Sequence, residues 1–295
     1  MNDSNAKGWT TLVDVPTLAA HVHDLDLCLV DARFTAAALA PGGDPDAGLK
    51  AWRAAHLPGS VYAHLNRDLS DLSVAGHGRH PLPDPAAFAR WLGGQGIGPD
   101  TQVVVYDAAD GAMAAARLWW LLKLIGHERV AVLDGGLAAW QAAGLDVTAD
   151  TPSVSALPPY PGTFDMAGVV SADEVLARLA DAPGWLLDAR NGERFRGEVE
   201  PIDPVAGHVP GAINRPLGLN LRDGRFRPPT ELKAELAPLL HGRAPAEAVV
   251  MCGSGVTACH LLLALEVAGL HGARVYADSW SGWLTEPARP VATGA

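Results

Sequence analysis

The chain contains itself twice, and this duplication constrains its fold more than any other feature. Leu29-Val30-Asp31-Ala32-Arg33 returns as Leu186-Leu187-Asp188-Ala189-Arg190, and His56-Leu57-Pro58-Gly59-Ser60-Val61 returns as His208-Val209-Pro210-Gly211-Ala212-Ile213. Val103-Val104-Val105-Tyr106-Asp107 corresponds to Val249-Val250-Met251-Cys252. Val130-Ala131-Val132-Leu133-Asp134, with Trp140 after it, corresponds to Arg274-Val275-Tyr276 with Trp283 after it. Four matches in one order describe two homologous domains, not a solenoid of short repeats. Each half alternates short β-rich apolar runs with helical patterns. The first half predicts strands near 27–31, 103–107 and 130–134 and helices near 84–93, 112–125 and 136–143. The second predicts strands near 185–188, 248–252 and 273–276 and helices near 171–181, 230–240 and 257–269. Ser171 and Glu174 have the spacing of a capping box. Such alternation belongs to an α/β fold in which helices cover both faces of mainly parallel sheets. Residues 1–149 and 169–295 are the expected domains. The proline-rich stretch 150–168 is the expected linker, extended over the surface because proline fixes φ and removes a donor. His56 and His208 precede Pro-Gly turns in both halves, and their expected role is to brace those turns.

The duplication also provides an internal control, because Asp107 stands where the second half has Cys252. In Val249-Val250-Met251-Cys252-Gly253-Ser254-Gly255-Val256-Thr257-Ala258-Cys259-His260, a buried strand runs through a tight loop into a strongly apolar helix. A lone cysteine is most often core packing. Here a glycine-flanked loop places it at the carboxyl end of a strand and facing a helix N-terminus, where amides and the helix dipole favour a thiolate. Ligands of open α/β sheets bind at such ends, so the expected site lies in the cleft between the domains. The first half is expected to be non-catalytic and to wall that site. Cys28 and Cys259 read as core packing, as do Trp119, Trp120, Trp140, Trp280 and Trp283.

The net charge of −11, from 33 acidic residues against 22 Lys and Arg, argues against nucleic acid or an anionic membrane as partners. An anionic substrate must therefore be drawn in by a local cluster of arginines. Three cysteines imply no disulfide framework and suit a reducing compartment. Met1 to Trp9 has no apolar signal segment and no run is long enough to span a membrane, so the expected location is the cytoplasm. No metal-ligand spacing and no phosphate-binding glycine fingerprint is present, and no cofactor is expected.

Together the Asp-Ala-Arg strands, the two His-x-Pro-Gly turns, the Cys252–Cys259 stretch and Ser279-Trp280-Ser281-Gly282-Trp283 resemble a two-domain rhodanese-like sulfurtransferase, from about Trp9 to Pro287. The Cys-Gly-Ser-Gly-Val-Thr-Ala loop is similar to that of the 3-mercaptopyruvate branch; the thiosulfate branch carries basic residues where Gly253 and Ser254 stand. The resemblance implies two tandem rhodanese-like domains. It also implies transfer of a sulfane sulfur from 3-mercaptopyruvate, through a Cys252 persulfide, to cyanide, a small thiol or a thioredoxin-like protein. Backbone donors of Gly253, Gly255, Val256 and Thr257 would hold the anion. Arg194, four residues after Arg190, would grip the substrate carboxylate, with Arg190 either at the site or in a structural ion pair with a neighbouring strand, as for its twin Arg33. Arg196 reads as surface charge. The branch often has a second arginine nine residues beyond the first; here that position is Asp203. Some members pair the loop serine with a histidine and an aspartate of the first domain. Ser254 and His80 match two of these, while Asn66 holds the aspartate's place and Asp68 lies two residues on. The family usually has Asp-Gly before Ser-Trp, where this chain has Ala277-Asp278. A thiosulfate:cyanide sulfurtransferase is the alternative, and a non-catalytic binding module a further one. The dual-specificity phosphatases share the single-domain architecture, but their loop is one residue longer and ends in an arginine, whereas Val256-Thr257-Ala258 offers no cation.

Overall fold

The computed structural model describes residues 8–34, 42–108 and 114–294. The first half runs β1 (Leu12–Val13), α1 (Val15–His21), β2 (Leu27–Asp31), α2 (Ala47–Ala54), β3 (Val61–Tyr62), α3 (Pro85–Gly94), β4 (Gln102–Tyr106), α4 (Ala114–Leu124), β5 (Val130–Leu133) and α5 (Gly136–Ala142). The second runs α6 (Ala172–Ala177), β6 (Leu186–Asp188), α7 (Gly192–Arg196), β7 (Ile213–Asn214), β8 (Leu221–Arg222), β9 (Arg225–Phe226), α8 (Pro229–Leu236), β10 (Val249–Met251), α9 (Ala258–Val267), β11 (Arg274–Val275) and α10 (Ser279–Trp283). One sheet has the order β1-β5-β4-β2-β3 and the other β11-β10-β6-β7, and every pairing in both is parallel. The β8–β9 hairpin is antiparallel and separate.

The register places the two halves on one template. Asp31 lies opposite Tyr106, and Asp188 lies opposite Met251. The next residue along each central strand is Asp107 in one half and Cys252 in the other, so the two occupy the same point of the fold. Strand periodicity then decides where the sulfur points. Val103 and Val105 pack with residues of α3 and α4, whereas Val104 and Tyr106 pack with residues of α1 and α5. In the second half Val250 and Cys252 join the first of these clusters, while Val249 and Met251 pack against Trp280 and Trp283 of α10. The cluster holding Cys252 runs through both halves, with α4 and α9 at its centre.

Several elements differ from expectation. The helix predicted over 171–181 stops at Ala177, although its capping box forms: Ser171 Oγ accepts from Glu174 N at 3.2 Å, and Glu174 Oε2 accepts from Ser171 N at 2.9 Å. The helix predicted over 230–240 tightens to a 3-10 turn at Ala237–Leu240, where Pro238 has no N–H to continue an α-helix. Helix α1 went unpredicted, yet Asp14 caps it at Thr17 N, 2.9 Å, and Pro16 opens its first turn. The stretch 150–168 bonds to α3 and α4 through Leu157 N to Gly93 O, 2.8 Å, and Asp165 N to Leu124 O, 2.8 Å. Residues 112–113 of the predicted 112–125 helix lie outside the described residues.

Candidate active site

The loop from Cys252 to Thr257 is held by its carbonyls. Trp280 N donates to Cys252 O at 3.0 Å and Ser281 N to Gly253 O at 2.9 Å, both from α10. Gly255 O accepts from Arg117 Nη1 at 3.1 Å and from Cys259 Sγ at 3.3 Å. The N–H groups of Gly253 to Thr257 have no acceptor among the described residues. With the carbonyls tied outward, five consecutive amides form a nest of unspent donors, the backbone arrangement that binds anions. Gly255 makes the turn at φ +76°, and a Cβ there would lie 2.0 Å from Ala277 O. Asp278 fills the position where the family has glycine without strain, at φ −68° and ψ −28°. The positive φ falls on Ser279 instead, whose Oγ accepts from Cys252 N at 3.1 Å and donates to Tyr276 O at 2.9 Å.

Cys252 is 1% exposed and lines a cavity of about 220 Å³ between the halves. Phe34, Leu65, Arg79 and His80 come to it from the first half. Arg190, Arg194, Ile202 and Ser254 come from the second, together with Gly253, Val256 and Thr257. Both Arg79 and Arg194 crowd Gly253: a Cβ there would lie 3.0 Å from Arg79 Nη2 and 3.5 Å from Arg194 Nη1. The side chain that glycine lacks leaves the space these two guanidiniums use. Arg194 is braced by Glu200, with Nη2–Oε1 at 2.7 Å, and by Asp203, with Nη2–Oδ2 at 3.1 Å; Asp203 also accepts from Arg79 Nη1. Asp203 therefore does not replace the missing second arginine. It bridges Arg194 to an arginine of the other half, which sequence comparison within the second half could not reveal.

Arg190 forms a buried ion pair with Asp188, 2.7 Å, two residues earlier on its own strand and not with a neighbouring one. It also donates to Gly207 O at 2.8 Å and lies over Trp280. Arg33 repeats the pairing with Asp31, 2.7 Å. Arg190 thus has a structural bond and a place in the cavity wall together. Arg196 is exposed and paired with Glu198.

His80 reaches across the cleft, with Nδ1 2.8 Å from Ser254 Oγ. Burial, then the charges of Arg117 and Arg79, push its pKa down to about 3. It is a neutral imidazole at physiological pH. Among the described residues no carboxylate supports it: Asn66 Oδ1 is buried without a partner there, and Asp68 accepts from His64 N. The loop carrying His80 is strapped to α10, with Arg79 N donating to Ser281 Oγ at 3.1 Å and His77 paired with Asp278 at 3.2 Å. His56 and His208 stay away from the cavity and brace their turns. His56 Nδ1 lies 2.6 Å from Trp52 O, and His208 Nδ1 lies 2.7 Å from Phe195 O. Cys259 is buried and pushed up to about 12 by desolvation.

A sulfur at the mouth of an amide nest, two arginines beside it and a neutral histidine–serine pair suit capture and transfer of a small anionic group. Comparison with known proteins agrees. The rhodanese-like domain model matches residues 14–143 and again 171–286. A probable 3-mercaptopyruvate sulfurtransferase of Pseudomonas aeruginosa is 49% identical over 290 residues, covering 96% of this chain and 98% of that protein. A putative thiosulfate sulfurtransferase, SseB, of Mycobacterium tuberculosis is 43% identical over 257 residues, covering 85% of this chain and 87% of that protein. The crystal structure of SseA from Escherichia coli, described as a 3-mercaptopyruvate sulfotransferase, superposes with a TM-score of 0.76 at 32% identity, covering 92% of this chain and all of that one. The chain belongs to the rhodanese family, as a tandem of two rhodanese-like domains.

Proposed function

We propose that the protein moves a sulfane sulfur from 3-mercaptopyruvate, through a persulfide on Cys252, to a thiol or cyanide acceptor. The observation that carries this reading is the open amide nest beneath Cys252 with Arg79 and Arg194 beside it. The Cys252 thiolate attacks the donor sulfur. An S–S bond forms, the C–S bond breaks, and its electron pair leaves on the methylene carbon as pyruvate enolate. The donor thiol's proton is released, and the enolate is protonated to pyruvate; in this reading Ser254 and neutral His80, 2.8 Å apart, pass that proton. The acceptor thiolate or cyanide then takes the outer sulfur, and the S–S electron pair returns to Cys252. No outside oxidant or reductant is needed. Thiolate on sulfur is the suitable nucleophile for this exchange, and the amides stabilise the persulfide anion without having to reorganise.

In this scheme Arg194 and Arg79 hold the substrate carboxylate, with Arg190 behind them. Their charges are already offset by Glu200 and Asp203, so the site favours one carboxylate over a thiosulfate dianion. Residues 169–295 supply the nucleophile, and residues 1–149 supply the opposite wall, with 150–168 joining them. The acceptor is cyanide, a small thiol or a thioredoxin-like protein, and the reducing cytoplasm is the compartment in which the free cysteines persist. Among the described residues no helix is long and apolar enough to cross a membrane. Thiosulfate as donor is the second reading, favoured by the likeness to the mycobacterial protein. Kinetics with both donors, side by side, separate the two. A kcat/KM at least about tenfold higher for mercaptopyruvate is expected, equivalent to ~1.4 kcal/mol of transition-state preference; a higher value for thiosulfate would overturn the donor assignment.

A further inference from the structure

The cations that face the cavity are already paired with carboxylates: Arg190 with Asp188, Arg194 with Glu200 and Asp203, Arg79 with Asp203. Arg117 is different. It stands on α4 of the first half, wholly buried, and forms no ion pair with Asp or Glu among the described residues. Its Nη1 donates to Gly255 O at 3.1 Å and its Nη2 to His80 O at 3.3 Å, so it ties the cysteine loop to the histidine loop across the interface. Its Nε has no acceptor among the described residues, and its guanidinium lies over Trp120, 5.1 Å from the ring centre. A guanidinium stays protonated in proteins, and burying one without an anion is costly. The groups that can supply negative charge around it are two thiols, Cys259 and Cys252, and the carboxylate of Asp278, which His77 contacts from the other side. Cys259 stays a thiol, held up by its burial even beside this cation. Cys252 alone opens on the cavity and the amide nest.

We infer that Arg117 is the buried countercharge of the Cys252 thiolate, supplied across the interface by the half that has no cysteine at this position. It acts through the field and through the loop carbonyl it grips, and does not touch substrate; it is a positioning and charge-setting residue. The remaining titratable groups around Cys252 are His80 and Arg79 on the strapped loop, Arg190 and Arg194 in the second half, Cys259 on α9 and Asp278 ahead of α10. Of these, His80 is neutral, the arginines are already paired and Asp278 is paired with His77. The inference rests on Cys252 reacting as a thiolate, but its test reads ionisation, not turnover.

The test is iodoacetamide alkylation of Cys252 in the full-length protein between about pH 5 and 10, quantified on the Cys252 peptide by mass spectrometry. Arg117→Met removes the charge while keeping most of the packing. It is expected to raise the alkylation midpoint by about one pH unit or more, lowering the rate at neutral pH about tenfold and leaving the high-pH plateau in place. Arg117→Lys is expected to shift it less. An unchanged midpoint in both variants would make Arg117 only a strut and overturn the inference. Should Arg117→Met fail to fold, Arg117→Gln, which keeps a donor toward Gly255 O, takes its place with the same expected rise of the midpoint; an unchanged midpoint in that variant would overturn the inference. A shifted midpoint in a protein that takes sulfur from no donor would leave the role of Arg117 standing and remove the donor chemistry alone.

Discussion

The chemistry of His80 departs far from that of a free histidine. Burial and two neighbouring guanidiniums bring its pKa down to about 3, well below an unfolded histidine at about 6.5. It therefore carries no charge over the working range and serves Ser254 as a neutral partner. Two outcomes follow from the sign of this shift. Because the folded state disfavours the protonated form, the stabilisation is present above the unfolded pKa and is lost as pH falls from about 6.5 toward 3. His80→Asn, which keeps a polar atom near Nδ1, is expected to flatten that acid limb in melts recorded between about pH 6.5 and 4; an equally steep limb would contradict the shift. In kinetics the same variant is expected to lower kcat with little change in KM for mercaptopyruvate. At the same scale, Arg79→Ala and Arg194→Ala are each expected to raise KM for mercaptopyruvate about 10- to 100-fold with a smaller effect on kcat, as expected for a lost charge-assisted bond of about 1.5–3 kcal/mol. An unchanged KM in the Arg79 variant would leave Arg194 to hold the carboxylate alone.

The element that decides the chemistry is the turn between β10 and α9, and α10 shapes it from outside by drawing two carbonyls away from the cavity. Gly255 is where this arrangement is least tolerant. Gly255→Ala would force a methyl group against Ala277 O in a left-handed conformation, at a cost of about 1–3 kcal/mol. The expected result is a lowered melting temperature together with loss of transfer; full activity at wild-type stability would mean that the turn is not needed in this form. Much of this element was legible in the sequence. The apolar triplet before Cys252, the glycines after it and the leucines of α9 mark a strand, a tight loop and a buried helix. The role of α10 was harder to read, because Ser279-Trp280-Ser281 carries no local sign that its amides reach back to the carbonyls of Cys252 and Gly253. Asp278 stands where the family usually has glycine, and only the backbone angles place the left-handed residue at Ser279.

At the scale of the whole molecule, the duplication made the fold legible. Four matched segments imply two copies of one α/β template, and the strand register aligns Asp107 with Cys252. What duplication cannot convey is which surfaces of the copies meet. Arg79 and Arg117 were passed over because their sequence neighbours, a glycine-rich loop and an apolar helix, say nothing of a cysteine well over a hundred residues later. Contact across α4 and α9 creates their roles, and the apolar cluster shared by the two halves holds that contact closed. Separate expression of residues 150–295 is therefore expected to give a chain with an exposed apolar α9 face and no measurable transfer, since His80, Arg79 and Arg117 are absent. An active isolated second half would assign the first half no part in the site. The claim on which the whole account depends is that one sulfur, on Cys252, carries another. Mass spectrometry of the intact protein after brief exposure to 3-mercaptopyruvate tests it most directly. The account predicts a gain of one sulfur atom, mapped to Cys252, removed by a thiol acceptor and absent in a folded Cys252→Ser variant; a sulfur adduct that persists in that variant, or none in the wild type, would contradict it.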